Sequence, residues 1–151
     1  MSRREKAKLL FSEGFNCAQA VLGAFAQDFG VKPGEAHRVA TAFGAGIARS
    51  GATCGCVTGA LMVLGLKEGM KKHTDGAAKE KTYADAARFM ETFKRRHGST
   101  ECRKLIGCDL SDPVARREAG EKGLFKSVCA PLVVSAVAIL EEMGKPREDS
   151  T

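Results

Sequence analysis

Apolar residues recur at helical spacing along nearly the whole of this 151-residue chain, and no run alternates with the two-residue period of a half-buried strand. Stripes of that kind are buried only by laying helix against helix. The fold class they predict is all-α, a single-domain helical bundle of about six to eight helices. No internal repeat and no long linker interrupts the pattern, and a chain of this length suits one hydrophobic core. One domain over 1–151 is therefore expected, with about 144–151 as a polar, frayed tail.

Glycine, proline and capping side chains mark the expected helix ends. A first helix covers about 3–13 and stops at Gly14. Asn16 caps a second, with Gln19 completing a capping box and Cys17, Val21, Ala24 and Asp28 on one stripe. Pro33 opens a third, which runs towards Gly44 and Gly46. Thr53 is the expected cap of a fourth from Cys54 to about Lys71, apolar almost all round as far as Leu66 and so the expected buried central helix. Its glycines at 55, 59, 65 and 69 suit close approach of neighbouring backbones. The fifth spans about 78–97, with Tyr83, Ala86, Met90 and Phe93 facing inward. A short sixth is capped by Ser99 or Thr100, a seventh opens at Asp112-Pro113, and the last runs from about Lys126 to Met143. Residues 74–82 are the expected mobile connection.

Charge and composition exclude several classes of function. The formal net charge of +6 is spread over scattered pairs such as Lys71-Lys72 and Arg116-Arg117 on mixed-charge faces, and the chain has no tryptophan and one tyrosine. Nucleic-acid binding is not expected, because it needs a clustered basic surface or stacking aromatics. The longest uncharged run, Ser50 to Leu66, is shorter than the roughly 20 apolar residues of a spanning helix, so no membrane span is expected. The N-terminal "MSRREKAKLLFSEG" lacks the apolar core of a secretory signal, which makes the cytoplasm the expected compartment. Disulfides that merely brace a fold are rare there, so six cysteines call for another explanation.

Four of them, Cys17, Cys54, Cys102 and Cys129, fall in the first turn of an expected helix and on its apolar stripe. A helix start offers unpaired N–H groups and a positive dipole end, which favour the thiolate, the reactive and metal-binding form. The four helices are the second, fourth, sixth and eighth, and alternate helices of an up-and-down bundle start at the same end, so the sulfurs are expected to converge. Four thiolates suit a tetrahedral metal or an iron–sulfur cluster, and pairs of them suit reversible disulfide chemistry. No C-x-x-C pair or other local metal signature is present, so any shared site is assembled by tertiary structure. Inert core packing is the competing role for each cysteine.

Cys56 and Cys108 stand apart. Positions two apart on a helix face different sides, so Cys56 joins Cys54 at a site only where the turn is irregular; otherwise it fills the core. Cys108, just past Gly107, is placed to swing towards Cys102. Arg49 precedes the cysteine turn in a small-residue loop and is a candidate to favour a thiolate or bind an anion. The segment "GAGIAR" lacks the third glycine of a dinucleotide fingerprint, and His37, His73 and His97 lack metal-helix spacing and read as surface residues.

The segments "NCAQAVL" (16–22), "FGAGIARSGATCGCVTGALMVLGLKEG" (43–69), "ECRKLIGCDL" (101–110) and "LFKSVCAPLVVSAVAIL" (124–140) together resemble the C_GCAxxG_C_C family of redox-active proteins. The resemblance places the family's four cysteines on Cys17, Cys54, Cys102 and Cys129 and its central glycines on Gly55 and Gly59. It also implies a small bacterial or archaeal helical protein. At Cys56 the family's usual residue resembles alanine.

The expected function is redox chemistry at a four-cysteine site. The metal form has Cys17, Cys54, Cys102 and Cys129 as ligands to an iron–sulfur cluster or another thiophilic metal, with Cys56 and Cys108 as further candidates and Arg49 beside the bound group. In the thiol form no cofactor is needed. Cys54, in its glycine-rich turn, is then the expected nucleophile, with Cys17, Cys102 or Cys129 resolving, and a partner protein or small-molecule reductant supplies electrons. A non-catalytic binding or assembly module, or a metal storage or delivery protein, are the alternatives.

Overall fold

The computed structural model describes residues 1–145, so the expected frayed tail lies, from 146 onward, outside the described residues. Among the described residues the chain forms eight α-helices and no named strand: α1 (Arg3–Ser12), α2 (Cys17–Phe25), α3 (Pro33–Ala40), α4 (Gly55–Glu68), α5 (Gly76–His97), α6 (Cys102–Ile106), α7 (Pro113–Glu121) and α8 (Ala130–Met143). No single helix is long and apolar enough to cross a membrane.

The helix starts follow their side chains. Asn16 and Gln19 form the reciprocal capping box, each backbone N–H donating to the other's side-chain oxygen at 2.9 Å. Gln19 Nε2 also donates to His37 O at 2.9 Å, which ties the start of α2 to α3 and satisfies a buried amide. Asp112 accepts from the Val114 N–H, and Pro113 opens α7. α1 stops before Gly14, whose φ of 111° no other residue adopts easily.

α2 is the most enclosed helix, buried continuously from Ala18 to Phe25 and touching α1, α3, α4 and α8. α4, expected in that place, is buried on its α2 side, while Leu66 is exposed. Two of the four glycines at 55, 59, 65 and 69 perform the expected packing: a Cβ on Gly55 or Gly59 would lie 2.9 Å from Ala18 N or 2.8 Å from Ala18 O. Gly65 has no neighbour within 4 Å, and Gly69 folds back only on its own helix end.

Three further expectations are corrected. Tyr83 is exposed and Phe89 takes its place in the core, because the stripe of α5 is set by Phe89 and Phe93. Residues 76–82 are the first turns of α5, with Asp75 accepting from the Lys71 and Lys72 amides just before it. His97 is partly buried and shares a 2.7 Å hydrogen bond with Ser135.

Candidate functional site: a cavity lined by four cysteines

α2 presents Cys17 as its first helical residue, fixed by the capping box immediately before it. Cys54 is the residue before α4, in extended backbone; Thr53, expected to cap that helix, instead forms an isolated antiparallel bridge with Glu101. The Cys54 N–H donates to Thr100 O at 2.8 Å, and the Cys102 N–H to Ala52 O at 2.7 Å. This short lacing sets Cys54 and Cys102, 48 positions apart in the numbering, on adjoining strands of backbone. Cys129 ends a π-helical turn, Phe125–Cys129, that runs directly into α8. Such wide turns are rare and recur at functional sites.

All four line one cavity of about 460 Å³. Its apolar wall comes from Phe11, Phe15, Leu105, Ile106, Phe125 and Val128, and exposed Gly14 and Arg49 mark where it meets the surface. Cys54 is 4% and Cys102 9% exposed, whereas Cys17 and Cys129 are partly buried. The four residues thus share one cavity wall, but the accessibility expected of Cys54 is not found. Its glycine-rich turn is pressed against α2, so the thiol is covered.

Thiolate stabilisation is not shared by all four. Thiol hydrogen bonds from Cys129 and then Cys56, helped by the first backbone N–H of α2, hold Cys17 well below the ordinary thiol range despite its burial. The same contact works against Cys129, which is pushed up by sharing with Cys17 and by burial. Burial first, and the charge of Cys54, Cys17 and Cys108 after it, pushes Cys102 up to about 12. Helix-start activation also fails at Cys129 for a structural reason: its backbone is already α-helical and continuous with the π turn, so it is not a free helix end.

Cys56 is fully buried behind the cavity wall, with its thiol towards Cys17 and Cys54 and its ionisation suppressed by burial and by those two neighbours. Both Cys54 and Cys56 reach the cluster because the helix begins between them, so the two-apart rule does not apply. Cys108 is partly buried in a small satellite cluster with Ile106, Leu110 and Phe125, near Cys102 but not on the cavity wall. Among the described residues no three His, Cys, Asp or Glu side chains are gathered as a metal cage.

The loop over the cavity carries a feature that sequence reasoning missed. Ala45, Gly46, Ile47, Ala48 and Arg49 all have positive φ, from 51° to 72°, a left-handed turn in which four residues are not glycine. Each such residue costs about 1–2 kcal/mol, so the surroundings must hold it. They do so through Ala48 N–H to Ala42 O and Ala52 N–H to Gly46 O, both 2.8 Å, and Ser50 Oγ–H to Gly46 O at 2.7 Å. Gly46 is required where it stands: a Cβ there would lie 2.6 Å from Cys102 Cβ. The sequence signal was the glycine density of "GAGIARSG", which marks a loop but not its handedness.

An all-α fold that brings thiols from four separate segments onto one largely apolar cavity defines a cysteine-cluster protein. The sequence profile of the family described as "Putative redox-active protein (C_GCAxxG_C_C)" matches residues 15–143, and the chain belongs to that family. Among curated proteins and solved structures nothing matches the chain.

Proposed function

We propose that this protein is a thiol–disulfide redox protein in which Cys17 is the nucleophile and Cys129 the resolving thiol. The observation that carries the reading is the convergence of Cys17, Cys54, Cys102 and Cys129 on one cavity, with Cys17 at the start of α2 and the Cys129 thiol beside it. The Cys17 thiolate attacks one sulfur of an oxidised disulfide, forming a mixed disulfide and releasing one thiolate. Cys129 then loses its proton and attacks Cys17 Sγ, which forms the Cys17–Cys129 disulfide and releases the second thiol. Two electrons pass to the substrate, and an external dithiol returns the protein to its reduced form. The family's redox description supports the class of chemistry.

The cluster explains the division of labour. An attacking thiol needs a populated thiolate, and a resolving thiol is best kept protonated until the mixed disulfide has removed the neighbouring charge. Forming the mixed disulfide removes the hydrogen bond to the Cys17 thiolate, the largest influence holding Cys129 protonated, and the Cys17 charge with it. The test is a redox titration of the anaerobically purified chain with disulfide mapping by mass spectrometry. A reversible Cys17–Cys129 bond is expected, and six thiols unchanged across the titration would refute the reading.

A second reading is favoured by the donor set, since four thiols on one wall suit a soft metal or an iron–sulfur cluster. Cys17, Cys54, Cys102 and Cys129 would hold it, and it would supply one-electron transfer when bound. The side chains as they stand do not form a closed cage for a single ion, and the cavity is larger than one ion needs. Metal analysis and an absorption spectrum of the anaerobic protein separate cluster, zinc and bare-thiol forms.

A further inference from the structure

Resting on the thiol-exchange reading, we propose that the substrate of this site is a small disulfide with an apolar body and an acidic group, rather than a disulfide on a folded partner. Size argues first. A cavity of about 460 Å³ lies in the range of small-molecule sites, and the reacting thiols, Cys17 and Cys129, are both partly buried on its wall.

The wall chemistry narrows the class. Phe15, Leu105, Phe125 and Val128 offer an apolar bed, which favours an aromatic or branched body over a polar peptide. Arg49 is the single charged side chain on the wall, and among the described residues it has no ion pair and no side-chain hydrogen bond. Ala45 and Gly46 line the same wall, and their amides donate to no backbone acceptor among the described residues. The Arg49 guanidinium matches a carboxylate. The reaction is the balanced exchange above, with two electrons moving from the Cys17 and Cys129 thiols to the acidic disulfide.

Two measurements on the whole chain test this separately from the redox reading. In the first, benzoate and benzamide are titrated into the native protein and into Arg49→Gln and Arg49→Lys. Benzoate is expected to bind at least about ten-fold tighter than benzamide, with the difference lost in Arg49→Gln and kept in Arg49→Lys. Equal binding of the two probes, or no effect of the Gln variant, overturns the acidic-group assignment. In the second, the reduced protein meets an aromatic dicarboxylate disulfide (dithiobis-nitrobenzoate), neutral dipyridyl disulfide and insulin, each rate divided by that with free cysteine. The dicarboxylate is expected to lead by about ten-fold and to lose that lead in Arg49→Gln. A faster reaction with insulin overturns the small-substrate assignment. Selective benzoate binding with no disulfide formed by any oxidant refutes the thiol-exchange reading instead, and the anion pocket stands.

Discussion

Gly55 faces Cys17 across the α2–α4 contact so closely that a Cβ on the glycine would lie 3.0 Å from the Cys17 Cβ, against Ala18 N at 2.9 Å. The same helix pair that forms the core therefore sets the position of Cys17, and the spacing leaves no room for a methyl group.

Gly59→Ala is expected to destabilise the fold by about 1–3 kcal/mol, because the added methyl meets Ala18 backbone at 2.8 Å and the helices must part. Gly65→Ala, with open space around it on the same helix, is expected to stabilise by about 0.5–1 kcal/mol. Urea unfolding of both variants checks the contrast, and equal effects would show that the α2–α4 contact is looser than described.

Thiol exchange as proposed gives the cysteines distinguishable behaviour. In Cys129→Ser a mixed disulfide is expected to accumulate on Cys17, since nothing resolves it, whereas Cys17→Ser forms none. Intact-protein mass spectrometry reads both. Alkylation of Cys17 by iodoacetamide should remain fast below the ordinary thiol range, and removing a hydrogen-bond donor should move its midpoint upward. The larger shift is expected for Cys129→Ala and the smaller for Cys56→Ala, in the order of their influence on Cys17.

Stability is expected to fall in alkali. Cys102 is raised to about 12 and Cys129 is raised as well, so above the ordinary thiol range the folded state keeps protons that the unfolded chain releases. The unfolded state then binds fewer protons, and unfolding is favoured progressively between pH 9 and about 12. Cys17, which is lowered, acts in the opposite sense: its contribution is present above the ordinary thiol value and is lost as pH falls through its folded value. Thermal melts across that range should show a shallower decline in Cys102→Ala than in the native chain.

The left-handed turn offers a direct measure of stored strain. Ala48 has φ 53° and is exposed, so Ala48→Gly removes a steric cost without removing a buried group. A gain of about 0.5–1 kcal/mol is expected in urea unfolding, net of the added freedom of the unfolded chain. A loss would show that the turn is held differently.

The all-α class, the number of helices and most of their ends were legible in the chain because they depend on local chemistry. Asn16 and Gln19 cap α2, Pro113 opens α7, and apolar spacing marks the buried faces, all within a few residues of each other. The four cysteines that line the cavity were singled out on the same basis, from their place near expected helix starts. What each thiol does was not legible. Whether Cys17 or Cys54 is reachable depends on which wall α2 presses against, and the protonation of Cys129 depends on a sulfur 112 positions away in the numbering. Thr53 turned from cap to bridge because Glu101 lay opposite, and Phe89 joined Phe93 in the core while Tyr83, at the start of the same face, stayed at the surface. Backbone propensity acts over a turn or two of chain, whereas burial and charge act through space, so the helices belong to the sequence alone and the chemistry of the cavity to their packing.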